Sequence, residues 1–416
     1  MTTRLLMTAD AVGGVWQYAT DLARALRPHG IETIIAVLGP MPSEAQLAEC
    51  GSPSPFRAIG APSLSHRERE GARPRDSGDG KGEGDRLPIE MLPTDLPLDW
   101  LSDGPAPVLA AGEAVAALAR DLHADIVHLN SPTLAARARF DQPVVAVAHG
   151  CIATWWRAAH GCDPDPSYRW QADLMRAGLL AADATAAPSA AFAADLQRTY
   201  ALPTTPLAVH NGREPYPSPL RGEGKRAKRS AGEGQSTTLA PYPAHAFTAG
   251  RLWDRVKNTE LLDRVAARLS VPFRAAGLVT GPHGETVAPK HLHLLGNLSA
   301  DQLAAELARR PVFVSAATFE PFGLAVLEAA QAGCALVLSD IPTFRELWDG
   351  AALFVPADND AAIAAAIEEL IADPNQRQTL GEAALARAAR YTPEATAAAM
   401  AALYAKLART ARRAAA

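Results

Sequence analysis

Surplus charge, paired cysteines and long apolar runs are all scarce in this chain. Its 40 Lys and Arg against 45 Asp and Glu leave a net charge of −5, so a general attraction to nucleic acid is not expected. Only four cysteines occur, Cys50, Cys151, Cys162 and Cys334, none in a C-x-x-C pair. That spacing suggests neither a zinc site nor a disulfide framework, and reduced thiols in a cytoplasmic protein are the expectation. No stretch of about twenty apolar residues is present, so nothing reads as a membrane span. The opening run Thr3–Asp10 is too short for a signal peptide and passes straight into a glycine loop. G-x-G-x-x-G is also missing, which sets aside a nicotinamide oxidoreductase of the Rossmann type.

What is present alternates strand with helix. The 416 residues, 48% hydrophobic and 20% charged, suit two ordinary domains better than one. Strand-like runs occur at Leu5–Thr8, Glu32–Leu38, Asp125–His128 and Val144–Val147, with helical patterns at Gln17–Leu26, Glu113–Leu122 and Ala172–Ala181. The second half repeats this: strands at Ala246–Ala249, Phe273–Ala276, His291–Leu295, Val312–Ser315 and Ala335–Leu338, and helices at Thr259–Arg268 and Asp301–Ala308. β-Branched strands crossed by amphipathic helices predict parallel sheets, here two doubly wound α/β domains. The expected division is an N-terminal domain over 1–205, a linker over 206–245, a C-terminal domain over 246–391 and a final helix over 392–416. Two stretches, about 63–87 and 218–238, are rich in Gly, Ser, Pro, Arg and Glu with almost no apolar anchor; such composition is expected to stay disordered. They echo one another, which suggests one low-complexity insertion accepted twice. The basic run Lys225–Arg229 in the second reads as solvated surface rather than a nucleic-acid or lipid site.

Chemistry gathers at a few loops. In Glu320-Pro-Phe-Gly-Leu-Ala-Val-Leu-Glu328 a strand runs into the segment and an apolar helix, Leu324 to Ala332, leaves it. Gly323 stands where unpaired N–H groups at the helix start would point at an anion. Seven intervening residues place Glu328 about two turns below Glu320, so the carboxylates reach different parts of one elongated ligand. An ordinary helix with an acidic start is the plain alternative. Asp10-Ala-Val-Gly-Gly-Val-Trp16 follows the first strand, and Gly13 and Gly14 would let backbone approach a ligand; a tight turn would use the same glycines. His149 and Gly150 stand at a strand C-terminus, where open parallel sheets collect active groups, with Trp155, Trp156 and Arg157 close behind and His128-Leu-Asn130 on the neighbouring strand. Arg251 and Lys257 follow the first strand of the second half, two cations suited to a diphosphate. Asp163-Pro-Asp165-Pro166 spells D-x-D, but no strand leads into it and metal binding is not expected.

These segments, with Asn211-Gly212 and Gly333-Cys-Ala-Leu-Val-Leu-Ser-Asp340, resemble the retaining GT-B glycosyltransferases, most closely the family 4 group that includes sucrose and mannosyl synthases. The resemblance covers nearly the whole chain apart from the two inserts. It implies two Rossmann-like domains facing a cleft, the last helix crossing back to the N-domain, and sugar transfer from a nucleotide diphosphate sugar to a hydroxyl, without metal or other cofactor. By that resemblance His149, Glu320, Arg251 and Lys257 are the catalytic candidates. Gly13, Gly14, Pro321, Phe322, Gly323, Leu324 and Glu328 join Arg251 and Lys257 around the sugar nucleotide, with Glu328 on the ribose hydroxyls. Trp16, Gln17, His128 and Trp155 fall on the acceptor side. The acceptor itself, whether sugar, lipid-linked or a small molecule, is open, as are the base, the transferred sugar and the oligomeric state. The basic tail residues Lys406, Arg409, Arg412 and Arg413 leave weak peripheral membrane contact open beside a plain solvated face. The competing readings are an epimerase-like or non-catalytic GT-B sugar-nucleotide binder. Both glutamates and both cations being present favours the transferase, and no lysine context suggests a phosphorylase.

Overall fold

The computed structural model describes residues 2–50, 88–216 and 244–414. The inserts expected at 63–87 and 218–238, with the run Lys225–Arg229, lie outside the described residues, as do the side chains of Arg412 and Arg413.

Two parallel sheets carry the chain. The first holds β1 (Thr3–Asp10), β2 (Ile31–Leu38), β3 (Glu90–Pro93), β4 (Ile126–Leu129), β5 (Val144–Val147), β6 (Ala184–Ala187) and β7 (Leu207–Ala208). The second holds β8 (Ala246–Ala249), β9 (Phe273–Ala276), β10 (His293–Gly296), β11 (Val312–Ser315), β12 (Leu336–Ser339) and β13 (Leu353–Val355). Their orders are β3-β2-β1-β4-β5-β6-β7 and β10-β9-β8-β11-β12-β13. The sequence places β5, β8 and β9 to the residue. It misplaces the helix expected from Glu113, which begins at Pro105, a proline suited to a first helical turn. β7 carries the first sheet past residue 205 to Ala208.

Residues alternate between the faces of each sheet because strand side chains have a period of two. In β1, Leu5 and Met7 pack with Trp16 and Leu22 of helix Gly14–Leu26. Leu6 turns to the other face, among Val115, Val127 and Leu129. β11 does the same, Val312 and Val314 on one face and Phe313 on the other. With both faces covered by helices, the strands are apolar throughout, as parallel sheets require.

The final helix, Pro393–Ala414, crosses back as expected. Its Ala397, Met400 and Tyr404 complete the core of the first domain, and Thr396 Oγ1 donates to the His210 carbonyl at 2.8 Å. Lys406 and Arg409 face solvent. Among the described residues no helix is long and apolar enough to cross a membrane.

In each sheet the strand order reverses once, between β1 and β4 and between β8 and β11. A crevice opens at such a reversal beyond the strand C-termini. The glycine loop follows β1, Asn130 follows β4, Gly250 follows β8 and Glu320 lies beyond β11. The two crevices face each other.

Candidate active site

β1 ends at Asp10, whose carboxylate accepts from the Val12 N–H at 2.9 Å and turns the chain into the glycine pair. Gly13 and Gly14 are exposed, and Gly14 opens helix Gly14–Leu26. A Cβ added to Gly14 would come within 3.1 Å of Leu324 Cδ1. Leu324 opens helix Leu324–Gln331 of the second domain, preceded by Gly323 at φ 94°, a left-handed conformation that suits glycine. Two helix N-termini therefore meet across the cleft, each with backbone N–H groups that no intrahelical carbonyl satisfies.

The wall contributed by the first domain is organised by one amide. Asn130 Nδ2 donates to the Thr8 carbonyl at 2.7 Å. A carbonyl can only accept, so Asn130 Oδ1 points the other way, where it lies 3.0 Å from His128 Nε2 and 2.8 Å from His149 Nε2. Both Nε2 atoms must then carry hydrogen, an assignment made from the bonding partners. His128 Nδ1 accepts from the Tyr404 hydroxyl at 2.6 Å, and His149 Nδ1 is left with its lone pair. Burial pushes His149 down to about 3, with His128 adding to the effect. Burial likewise takes His128 down to about 4, against the bond to Asn130. Both rings are neutral at physiological pH. Tyr18 packs edge-on against His149 with centroids 4.5 Å apart.

Three expectations for this wall need correcting. Trp16 is 1% exposed within the first core, so helix phase turns it onto the sheet and away from any acceptor. His128 is wholly buried; it lies beneath His149 and does not line the rim. Trp155, on helix Ile152–His160, spans the cleft instead of walling it, its Nε1 donating to Asp254 Oδ1 at 2.9 Å. Gln17 is half-buried and its Oε1 accepts from Arg213 at 2.7 Å.

The facing wall is charged. Arg251 follows β8, is half exposed, and pairs with the buried Asp254 at 2.8 Å. Asp254, to which the sequence assigns no part, thus orients Arg251 while receiving Trp155. Lys257 Nζ and the Glu320 carboxylate form an ion pair, so the structure brings these two candidates together. Asn258 adopts φ 61° and its Nδ2 ties the loops after β11 and β13, donating to the Ala316 and Ala357 carbonyls at 3.2 and 2.7 Å. Phe322 is a core side chain, 3% exposed, so only its backbone can reach a ligand. The Pro321 carbonyl accepts from Ser189 Oγ of the first domain at 2.7 Å.

Glu328 is buried two turns below. Its Oε1 accepts from Arg213 Nε at 3.0 Å and from the Tyr216 hydroxyl at 3.1 Å. Burial raises its pKa above the ordinary carboxylate range, and Arg213 opposes that. Arg213, Tyr216, Tyr404 and Asp254 escape a reading of the sequence. The one local signal is Asp21, a carboxylate on the buried face of helix Gly14–Leu26, which calls for positive charge; Arg24 lies 3.5 Å away on the same helix and Arg213 Nη1 adds a second cation at 3.0 Å. In the D-x-D stretch Asp165 caps its own turn, accepting from the Ser167 N–H at 2.9 Å. Among the described residues no three metal-ligating side chains cluster.

Residues 12–215 match the family described as Glycosyltransferase Family 4, and residues 285–387 match Glycosyl transferases group 1. The serotype-specific mannosyltransferase WbdA of Escherichia coli is 35% identical over 138 residues, 32% of this chain and 16% of that protein. A second match to that enzyme is 36% identical over 83 residues, covering 20% of this chain and 10% of the relative. The chain therefore spans 10 to 16% of the length of the curated relatives it matches. Sucrose-phosphate synthase from Thermosynechococcus elongatus superposes with a TM-score of 0.68 at 18% identity, covering 97% of this chain and 99% of that one. HepE from Anabaena, solved in complex with UDP-glucose, gives 0.65 at 16% identity over 97% and 99% of the two chains. At such identities the structures establish the fold, and the family models establish the descent: this chain belongs to the group 1 glycosyltransferases and is built on the GT-B architecture.

Proposed function

We propose that the chain transfers a hexosyl group from a nucleotide diphosphate sugar to a hydroxyl acceptor, with retention of anomeric configuration, without metal, in the cytoplasm. The observation that carries this reading is the meeting of two glycine-led helix starts, at Gly14 and Leu324, in a cleft whose second-domain wall carries Arg251, Lys257 and Glu320. Backbone N–H groups and two cations in one cleft suit a departing diphosphate. The UDP-glucose bound by the Anabaena neighbour supports a sugar nucleotide as donor.

In this reading Arg251 and Lys257 take the diphosphate oxygens, and the amides of Gly323 and Leu324 cap them. Lys257 and Glu320 now balance one another's charge; phosphate takes over from the carboxylate on Lys257, and the sugar hydroxyls occupy Glu320. His149 presents Nδ1, a hydrogen-bond acceptor, to a sugar hydroxyl. Glu328 accepts from the ribose hydroxyls. The anomeric C–O(phosphate) bond breaks as the bond to the acceptor oxygen forms on the same face, and the acceptor proton passes to the departing phosphate oxygen. His149, held near 3, is a weak base, and Glu320 is occupied by the sugar hydroxyls, which leaves the phosphate as the base nearest that proton.

Calorimetry with UDP-, GDP- and ADP-sugars, with and without EDTA, tests the proposal. Binding of one nucleotide that EDTA leaves unchanged and Glu328→Ala weakens supports it. Binding of none would sink it. The anomeric configuration of the product, read by NMR, then decides retention.

A further inference from the structure

The segment after β7 is pressed between the two domains. Gly212 runs so close to the start of the final helix that a Cβ would overlap the Thr392 carbonyl. Beyond it the Arg213 N–H donates to the Tyr391 carbonyl at 3.3 Å, and the Arg213 carbonyl accepts from Gln331 Nε2 at 2.7 Å. This fixed backbone delivers the Arg213 side chain into the domain junction, where it is 11% exposed. Its guanidinium divides between the domains. Nε meets Glu328 Oε1 at 3.0 Å, and Nη1 meets Asp21 Oδ2 at 3.0 Å and Gln17 Oε1 at 2.7 Å. Tyr216, three residues along the same strip of chain, adds its hydroxyl to the same Oε1 at 3.1 Å. Both hydrogen bonds to the Glu328 carboxylate fall on Oε1.

We infer that Arg213 is the positioning residue for Glu328: with Tyr216 it holds Oε1, turns Oε2 toward the ligand as the acceptor for a vicinal diol, and anchors that oxygen to the first domain through Asp21 and Gln17. This rests on the proposed role of Glu328 toward the ribose. Arg213 and Arg24 balance Glu328 and Asp21 in charge, which leaves no surplus cation for a phosphate and suits neutral hydroxyls that donate. Recognition of the ribose and the juxtaposition of the domains then depend on the same side chain. The charged and titratable groups facing Glu328 are Arg213 and Tyr216 from the linker and Asp21 from helix Gly14–Leu26, with Arg24 behind Asp21 at 3.5 Å. Burial works against the charge on Arg213, but Glu328 and Asp21 more than offset it and hold the guanidinium above its ordinary range.

The test is calorimetric binding of UDP, GDP and ADP against their 2′,3′-dideoxy counterparts to the full chain. Removing the ribose hydroxyls should weaken wild-type binding about 10- to 100-fold, one or two charge-assisted hydrogen bonds. Arg213→Gln should bind the parent nucleotide weaker by a similar factor and scarcely distinguish the dideoxy form. Its affinity should also climb from pH 6 to pH 9 more steeply than the wild type's. With Arg213 gone, burial and Asp21 both favour the protonated carboxyl, which deprotonates as pH rises. Arg213→Lys should restore the shallow pH dependence and only part of the ribose discrimination. Tyr216→Phe, which keeps the guanidinium and the packing, should lose about threefold with an unchanged melting temperature. Full ribose discrimination in Arg213→Gln overturns the inference. Full discrimination in Glu328→Ala, or no nucleotide binding by the wild type, instead overturns the reading of Glu328 beneath it.

Discussion

The two walls of the cleft are held in shape by different means. In the histidine network of the first-domain side every group is neutral, and direction comes from a main-chain oxygen: the Thr8 carbonyl fixes Asn130, Asn130 fixes two histidines, and Tyr404 closes the series. On the second-domain side the groups are ions held by one another, Lys257 by Glu320 and Arg251 by Asp254. A network tied to the backbone keeps its orientation when a ligand arrives, because changing it means giving up the bond to the Thr8 carbonyl. Ion pairs can exchange partners with a charged ligand at little net cost, since one anion replaces another. The neutral wall aims and the charged wall responds.

Substitutions that cross this division test it. Lys257→Ala removes the responding cation and should lower kcat about 10²- to 10³-fold, as loss of one transition-state charge contact does, measured on the donor that binding identifies. Asn130→Asp puts charge into the neutral wall. The new carboxylate stabilises both imidazolium forms, so an acid limb should appear in the pH–rate profile and move toward neutrality. The wild type should show no limb from His149 above about pH 4, because that ring titrates near 3. Stability carries the same signature. His128 is depressed to about 4 against its ordinary 6.5, so the unfolded chain takes up protons first as the solution is acidified. Its contribution is complete above pH 6.5 and is lost as pH falls toward 4. Melting temperature should drop across that window and drop less in His128→Gln, which differential scanning at several pH values would show. The smallest effect belongs to the strut between the walls. Trp155→Phe deletes the bond to Asp254 and should cost about 1 kcal/mol, measured by chemical denaturation, with Arg251 more mobile.

The carriers of the fold are local and therefore legible. β5, β8 and β9 are short apolar runs with clean borders, and the glycine that starts helix Leu324–Gln331 stands out in its segment. Lys257 and Glu320 each have a motif around them. What escaped depends on contacts between distant parts of the chain. Tyr404 is 276 residues from the histidine it serves, and Arg213 is 115 from Glu328; neither has a local pattern. A tryptophan beside a glycine loop suits a cleft and a core equally, and only helix phase, which buries Trp16, separates them. Asp254 passes for a surface aspartate in a basic turn until Trp155 arrives from the other domain.

The final helix also sets a schedule. Met400 and Tyr404 belong to the core of the first domain, yet they leave the ribosome only after the whole second domain. The N-terminal half therefore waits, with the patch that the final helix covers still open and His128 lacking its hydroxyl partner, until the second domain has been synthesised and has passed it. The histidine wall can be finished only after Tyr404 has emerged, so a chain interrupted before residue 393 would offer chaperones and proteases an open core.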